Sequence, residues 1–543
     1  MQRLTHLFAA LDGTTRRTRK IEALTKYFED SPPHDAAWTL YLLSGQRKTR
    51  AVSRRLLRRW AAEETGFPAW LIDETYRNVG DLSETLALLL PDQDESTTEG
   101  LAEVFENRIL PLETATQEQQ RAIIVAAWRD FSAQQRLVFH KLISGAFRVG
   151  VGRSTVLQAL AAAKNVSQSL LEQRLMGKWS PEADSFASLL APEGKEESQL
   201  APFPYYLASP LDRSLESLGS IDEWQIEWKW DGIRAQLVHS SHGTCLWSRG
   251  EEIISRQFPE IIEAAAGLPD DCILDGEVLA WENNRPLRFH ALQRRLNRTS
   301  VEPSLFVDVP IVFMVYDLLQ DRGEDIRDRP LHERRTLLEN LLRRNCMSEA
   351  SSGSPNTDVV RLSRVLRPAS WDEVERLRQQ AQQQRTEGVM IKRRASRYES
   401  GRRVGDWWKF KREPYSLDAV LVAAQRGHGK RATLYTDYTF AIWKQDELVT
   451  IAKAYSGLTD AEILKVDEFV RRNTTATRGP VRIVKPELVF EIGFDDIRLS
   501  PRHKSGIALR FPRMLRQRGD KSAGEADSIE TTRMLLARLE SDQ

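Results

Sequence analysis

Lys229 lies in Glu227-Trp228-Lys229-Trp230-Asp231-Gly232-Ile233-Arg234, between two tryptophans and just ahead of an Asp-Gly pair. A protonated lysine is a poor nucleophile, but nearby cations or desolvation lower its pKa and free the nitrogen lone pair. Arg234 or a bound metal could supply that push. Taken alone, K-x-D-G also fits an ordinary strand ending in an Asp-Gly turn. It is followed, in order, by Ser248-Arg249-Gly250-Glu251, Leu274-Asp275-Gly276-Glu277 and Phe313-Met314-Val315-Tyr316-Asp317. Then come Glu387-Gly388-Val389-Met390-Ile391-Lys392, Trp407-Trp408-Lys409-Phe410-Lys411 and Arg510-Phe511-Pro512-Arg513. Lys409 and Lys411 alternate along a strand, so their side chains share one face.

The elements that must position these residues change texture along the chain. Residues 1 to about 195 read as helical, with apolar residues at three-and-four spacing in Leu82, Leu86, Leu89 and Leu90 and again in Ile123, Ile124, Ala127, Trp128 and Phe131. Glu193 to Pro204 is polar and then proline-containing, as a linker would be. Short aromatic and β-branched runs follow at Gln225–Lys229, Ala235–His239, Cys272–Leu274 and Ile311–Tyr316. Helical stretches at Leu331–Arg344 and Ser370–Gln384 alternate with them, and Ala350–Asp358 reads as a surface loop. Beyond Pro414, strand-like runs at Ala419–Ala423, Thr439–Trp443, Leu448–Lys453 and Leu488–Ile492 suit a small barrel. From about Gly519 the chain reads as a charged, partly mobile end.

The expected organisation is multidomain: an all-α domain over residues 1–195, an α+β nucleotidyltransferase domain over 200–413 and a C-terminal OB-fold β-barrel over 414–543. The barrel type and the domain roles come from the resemblance of the ordered motifs. Their series over residues 225–521 resembles the covalent nucleotidyltransferases, specifically the ATP-dependent DNA ligases. Phe147-Arg148-Val149-Gly150-Val151-Gly152 is similar to part of the helical DNA-binding domain of the larger ligases, so the likeness covers nearly the whole chain.

The resemblance implies roles residue by residue. Lys229 is the catalytic nucleophile that carries AMP, and Glu227 matches the residue at the adenine edge. Arg234 and Arg249 resemble the ribose- and phosphate-contacting arginines, where a planar fork can grip two oxygens. Glu277 matches a ribose-contacting glutamate near the metal, and Glu387 the second carboxylate, so both are metal candidates. Mg²⁺ needs only one or two protein carboxylates when phosphates supply other oxygens. Tyr316 stands where the family usually stacks a phenylalanine on adenine; it keeps the aromatic face, though a core aromatic fits the position too. Met390 resembles the apolar wall on the other side of the purine and equally reads as a core methionine.

Lys409 and Lys411 resemble the pair at the α-phosphate, with Lys392 nearby. Arg403 matches a nucleotide-contacting position, with Arg402 beside it as the alternative. Arg510 and Arg513, followed by Arg516, Arg518, Asp520 and Lys521, resemble the segment that orients the pyrophosphate leaving group after a domain motion. Every role fits an attack on phosphorus, which needs charge neutralisation and in-line geometry more than proton chemistry.

Sealing nicked double-stranded DNA requires a grip on duplex backbone without base readout. Arg47, Lys48, Arg50, Arg54, Arg55, Arg58 and Arg59 form one basic stretch, readable as a DNA face or a solvated one. Ser144 to Arg153 is the other candidate: its glycines allow close approach of phosphates, and equally make a tight turn between helices.

A length of 543 residues allows three or four domains, and a net charge near +1 means that any nucleic-acid surface must be local. Cys245, Cys272 and Cys346 form no C-x-x-C pair, which argues against a zinc ribbon and against a NAD⁺-dependent ligase with a four-cysteine zinc site. An RNA ligase or GTP-using capping enzyme would resemble only the later two domains, and a non-catalytic nick binder would not need every charged position filled. No apolar run reaches membrane-spanning length. Leu7–Leu11 precedes Arg16, Arg17, Arg19 and Lys20, the reverse of a secretory signal. A cytoplasmic, DNA-associated monomer using ATP and Mg²⁺ in DNA replication, repair and recombination is expected.

Overall fold

The computed structural model describes the chain apart from residues 46–50, 92–96, 146, 148, 176–178, 192–199, 297–307, 350–358, 428–432, 502 and 542–543. Arg47, Lys48, Arg50, Arg148, most of the linker and the 350–358 loop therefore lie outside the described residues. The rest gathers into two compact units: residues 1–155 with 413–543, and residues 156–412. No described helix is long and apolar enough to cross a membrane.

Several helices of residues 1–155 begin where the sequence offers caps. Ser53 accepts from the Leu56 N–H to start Arg54–Thr65, and Gly66 ends it with φ 71°. Thr116 with Gln119 and Ser132 with Gln135 form reciprocal capping boxes for Gln117–Asp130 and Ala133–Ile143. The apolar faces of these helices bury Phe28, Trp60, Phe105, Phe131 and Phe139. Each such side chain contributes roughly 1.5–3 kcal/mol by leaving water.

The C-terminal part of this unit is a seven-stranded barrel sheet. Glu447–Ala454, Tyr435–Lys444, Tyr415–Arg426, Val481–Val484 and Thr474–Arg478 are neighbours in that order. Val489–Phe494 joins Tyr415–Arg426 to Arg513–Gln517. The charged end beyond Gly519 was expected to be partly mobile and is instead ordered through Ile529–Ser541 as a helix. Ile529, Leu536 and Leu539 recur on its buried side and pack into the barrel core beside Phe440 and Phe490. The local charge density masked this 3.6-residue periodicity.

The described part of residues 156–412 carries two larger sheets, besides a two-stranded pairing of Tyr206–Leu207 with Gly401–Arg402. One runs Val360–Leu362, Ile311–Asp321, Cys272–Glu282, Ile233–Ser240, Gly243–Ser248. Its inner face (Ala235, Leu237, Leu274, Phe313 and Val315 among others) packs on Ile261, Leu292 and Leu338 from three helices. The other sheet runs Val365–Leu366, Trp224–Lys229, Gly388–Arg393, Trp407–Lys411, Ser209–Pro210. The helix Trp371–Gln380, capped by Ser370, covers one of its faces.

Candidate active site

Three antiparallel strands of the second sheet form a grid. Their register aligns Gln225, Lys392 and Trp407 in one row, Glu227, Met390 and Lys409 in the next, and Lys229, Gly388 and Lys411 in the third. A strand's side chains alternate between faces, so these nine positions share a side. The residues between them (Ile226, Trp228, Val389, Ile391, Trp408 and Phe410) point the other way, into an apolar cluster with Val374 and Leu377. One alternation thus makes both the core and the charged surface.

Gly388 sits between the two lysines because nothing larger fits. Its φ is 141°, and a Cβ there would lie 2.2 Å from the Phe410 carbonyl oxygen. Glu387, just ahead of it, donates its N–H to the Lys229 carbonyl at 2.8 Å. Its carboxylate lies 2.5 Å from Lys229 Nζ and 3.2 Å from Lys411 Nζ. Burial works to raise the Glu387 pKa, but the two ammonium groups outweigh it and hold the carboxylate well below its usual range.

The first sheet supplies the opposing groups. Gly232 lets the chain turn after Lys229 against the neighbouring strand: a Cβ there would sit 2.2 Å from the Val278 carbonyl and 2.8 Å from Glu277 Cγ. Burial pushes Glu277 up to about 8, with Lys229 and Arg234 pulling it down and Glu387 and Asp231 adding to the rise. Lys409 is lowered by burial first, then by Arg402, Lys229 and Lys411. Two carboxylates of contrasting affinity for protons thus flank a lysine backed by two others.

Glu227 is fully buried, with Lys392 at 3.1 Å on one oxygen and the Gln225 amide donating to the other at 2.5 Å. The Lys392 ammonium also lies 4.4 Å from the Tyr316 ring centroid and 4.6 Å from that of Trp407. It therefore joins the two sheets.

Three regions of the chain match family models: residues 1–161 match DNA ligase N terminus, 206–411 match ATP dependent DNA ligase domain and 431–521 match ATP dependent DNA ligase C terminal region. The probable DNA ligase of Koribacter versatilis (strain Ellin345) is 34% identical, covering 98% of this chain and 95% of the relative. The chain belongs to the ATP-dependent DNA ligase family. DNA ligase 1 of Korarchaeum cryptofilum (strain OPF8) is 27% identical over 99% of this chain and 98% of its own length. The solved structure described as Pmar-Lig_PreS3 shares the fold, with a TM-score of 0.61 at 16% identity over 95% of this chain and 99% of that one. Nick sealing is the general function of these ligases, and the order of a helical region, an adenylation domain and an OB-type barrel is theirs.

The ligase's arginines are not all placed alike. Arg234 is held by Asp275 through two bonds of 3.2 and 2.7 Å, by the Tyr206 carbonyl at 2.6 Å and by the Tyr398 hydroxyl at 3.2 Å. Asp275 is fully buried and also accepts from Tyr398 at 2.7 Å and Tyr316 at 3.4 Å. Arg249 is exposed, its N–H donating to the Arg234 carbonyl at 2.9 Å. Arg403 is exposed and pairs with Glu399 at 3.1 Å; Arg402 is the one of the two whose charge acts on Lys409.

In the barrel, Arg513 pairs with Asp495 at 2.8 Å, and Arg510 lies 5.2 Å from the ring of Phe511, an exposed residue with φ 53°. Arg518 and Lys521 both bond Asp418, at 2.8 and 2.6 Å, and Arg516 bonds Glu491.

Sequence reasoning passed over Asp275, Tyr398 and the buried Asp317–Arg334 pair at 2.9 Å. A signal for Asp275 was present: it lies two residues before Glu277, which faces Arg234 across the ladder, so Asp275 and Glu277 share a face.

The helical region offers less free basic surface than its composition suggests. Arg58 pairs with Asp73 at 2.6 Å and Arg59 with Glu63 at 3.6 Å, while Arg54 and Arg55 are exposed. Lys20 is buried and donates to the carbonyls of Val149 and Gly150 at 2.6 and 3.1 Å, pinning the glycine-bearing turn. Around Gly152 the space where a side chain would begin is open.

Among the described residues no group of three or more His, Cys, Asp or Glu side chains is placed to hold a metal. Glu277 and Glu387 around Lys229 fit the sparser donor set that Mg²⁺ needs when substrate phosphates complete its shell.

Proposed function

We propose that this ligase seals 5′-phosphate/3′-hydroxyl nicks in duplex DNA with Lys229 as the nucleophile. The reading rests on the register that sets Lys229 beside Glu387 and Lys411 across Gly388. A lysine here meets carboxylate and ammonium groups suited to a polyphosphate, with Glu277 nearby.

The deprotonated Lys229 nitrogen attacks the α-phosphorus of ATP. A P–N bond forms, the bond from that phosphorus to the bridging oxygen breaks, and pyrophosphate leaves. Lys229 must part from Glu387 and lose its proton before it can attack. Lys409 and Lys411 take up α-phosphate charge, and Arg249 and one of Arg402 and Arg403 contact the nucleotide. Arg234, held by Asp275, keeps its guanidinium at the ribose side, and Tyr316 and Met390 wall the purine with Glu227 at its edge. Glu277 and Glu387 would hold Mg²⁺, which when bound neutralises phosphate charge. Arg510 and Arg513 are assigned to the pyrophosphate. A 5′-phosphate oxygen at the nick then attacks the lysyl-AMP phosphorus and releases Lys229. Finally the 3′-hydroxyl attacks the 5′ phosphorus, and AMP leaves.

Domains at 1–195, 200–413 and 414–543 divide this work into DNA grip, adenylation and barrel. The turn at Gly150–Gly152 and the exposed Arg54 and Arg55 serve the backbone, and the enzyme acts as a cytoplasmic monomer on nicked duplex. Incubation with Mg²⁺ and ATP, GTP or NAD⁺, each labelled in the transferred nucleotide, tests the chemistry. ATP alone is expected to leave a label that survives denaturation and is lost in acid, as a phosphoramide is. Labelling by GTP alone overturns the proposal.

A further inference from the structure

Beside the nucleotide pocket a short hairpin gathers arginines that the adenylation chemistry leaves unused. The strand Cys272–Glu282 turns back as Arg285–Pro286, with Trp281 opposite Pro286 and Glu282 opposite Arg285. The two turn residues, Asn283 and Asn284, have φ 49° and 60°, the left-handed pair that a tight two-residue hairpin requires. Arg361 reaches this turn from the neighbouring sheet edge, donating to Asn284 Oδ1 at 3.4 Å with its guanidinium 5.3 Å from the Trp281 ring centroid.

Arg385 arrives from the other sheet. The chain leaves the helix Trp371–Gln380 with Arg385 at φ 52° and the Thr386 N–H donating back to Ala381. Glycine or asparagine usually fills such a left-handed position after a helix, so an arginine there is held at a cost. Its guanidinium donates to the Pro286 carbonyl at 3.2 Å, which brings it to the hairpin. Arg285 immediately precedes Pro286 on the hairpin strand, and Arg288 lies two residues beyond it. Glu282 is the carboxylate within the hairpin, and it lies opposite Arg285.

Two short links, one through Glu387 and one through Trp230, connect this cluster to the reacting lysine. Arg385 is two residues from Glu387, a span of at most about 7 Å along the chain. Trp230, which follows Lys229, packs edge-on against Trp281 with centroids 5.9 Å apart. DNA that brings a 5′-phosphate to Lys229 carries further phosphates at about 3.4 Å of rise per nucleotide. A duplex that runs along this side of the pocket would bring those of the neighbouring nucleotides to the hairpin.

We propose that Arg285, Arg288, Arg361 and Arg385 form a phosphate-binding clamp for the DNA backbone flanking the reacting end. Arginine suits this use because its planar fork can bond two phosphate oxygens. The clamp holds DNA without sequence preference and takes no part in the reaction with ATP. It rests on the reading of Lys229 as the lysine that delivers AMP to DNA.

The test compares the full-length chain with Arg285→Gln/Arg288→Gln. Self-labelling from ATP without DNA is measured beside anisotropy titration of a nicked duplex in EDTA across a salt series. The double variant is expected to label within twofold of the unaltered chain. Its Kd should rise at least about tenfold. The slope of log K against log salt should shrink by nearly two, because each neutralised phosphate accounts for about 0.9 of it. Arg285→Lys/Arg288→Lys should keep the slope while weakening the bidentate grip. An unchanged Kd and slope in the glutamine variant overturns the clamp. If the glutamine variant also loses the label, the lysine variant decides: normal labelling with a reduced slope overturns the proposal, and an unreduced slope supports it. Failure of the unaltered chain to label with ATP sinks the ligase chemistry instead.

Discussion

Lys229 and Glu387 close a 2.5 Å ion pair between adjacent strands, and Lys411 shares the same carboxylate oxygen at 3.2 Å. The shared oxygen predicts the outcome of removing the lysine. In Lys229→Ala, Glu387 keeps Lys411 as a partner, so no buried carboxylate is stranded and the fold should hold. Self-adenylylation should vanish, while a nick that already carries a 5′-AMP should still be sealed. Gel assays of both reactions check this, and loss of the second would show a further role for Lys229.

Glu277 is held at about 8 by its burial, so at neutral pH the free enzyme keeps it mostly protonated. Glutamine imitates that protonated form. Glu277→Gln should therefore leave Tm unchanged or slightly raised, yet slow adenylylation by about 100-fold, the upper range for disrupting a metal's surroundings. Scanning calorimetry and single-turnover labelling would separate the two effects. A matching loss of both would assign Glu277 a structural role.

Gly388→Ala places a methyl group 2.2 Å from the Phe410 carbonyl at a φ of 141°. The central strand must then shift against Trp407–Lys411 or its own backbone must bend. With strain of about 1–3 kcal/mol before any loss of pairing, Tm should fall by roughly 5–10 °C. ATP labelling should fall with it, because the same movement separates Lys229 from Lys411. An unshifted melting curve would contradict this account of the glycine.

His140 gives the helical part of the chain an acid sensitivity. Its Nε2 accepts from Trp128 Nε1 at 2.7 Å, which requires an unprotonated nitrogen. Burial, reinforced by Arg136, lowers the ring to about 4 from 6.5. Between those values the unfolded chain binds a proton that the folded chain refuses, so stability rises with pH through the window. The contribution is complete above about 6.5 and lost toward pH 4, a loss of about 3 kcal/mol. Urea midpoints at pH 7 and pH 4.5 measure it, and His140→Gln should flatten the dependence.

Much of the site was legible because strand alternation needs no knowledge of the fold. Trp407-Trp408-Lys409-Phe410-Lys411 displays its buried and charged faces in five letters. A small barrel was legible from its strands and its OB type only from the family resemblance, whereas the Ile529–Ser541 helix was hidden by its own charges. Partner choice was harder to read. Whether Arg234 meets a ligand or Asp275 depends on a ladder between segments 41 residues apart, and nothing local to Lys20 announces the carbonyls of Val149 and Gly150. The choice between Arg402 and Arg403 likewise turns on where one short strand faces.

The grid of Gln225–Lys229, Gly388–Lys392 and Trp407–Lys411 has a consequence for how the enzyme matures. A slip of one residue in the central strand would bury Met390 and Lys392 among tryptophans and turn Val389 and Ile391 toward ATP. No half-correct arrangement keeps the pocket while losing the core, or the reverse. If Lys229 carries AMP as proposed, a newly made chain that can take up the nucleotide has already passed its own folding inspection, and the label doubles as a report of native register.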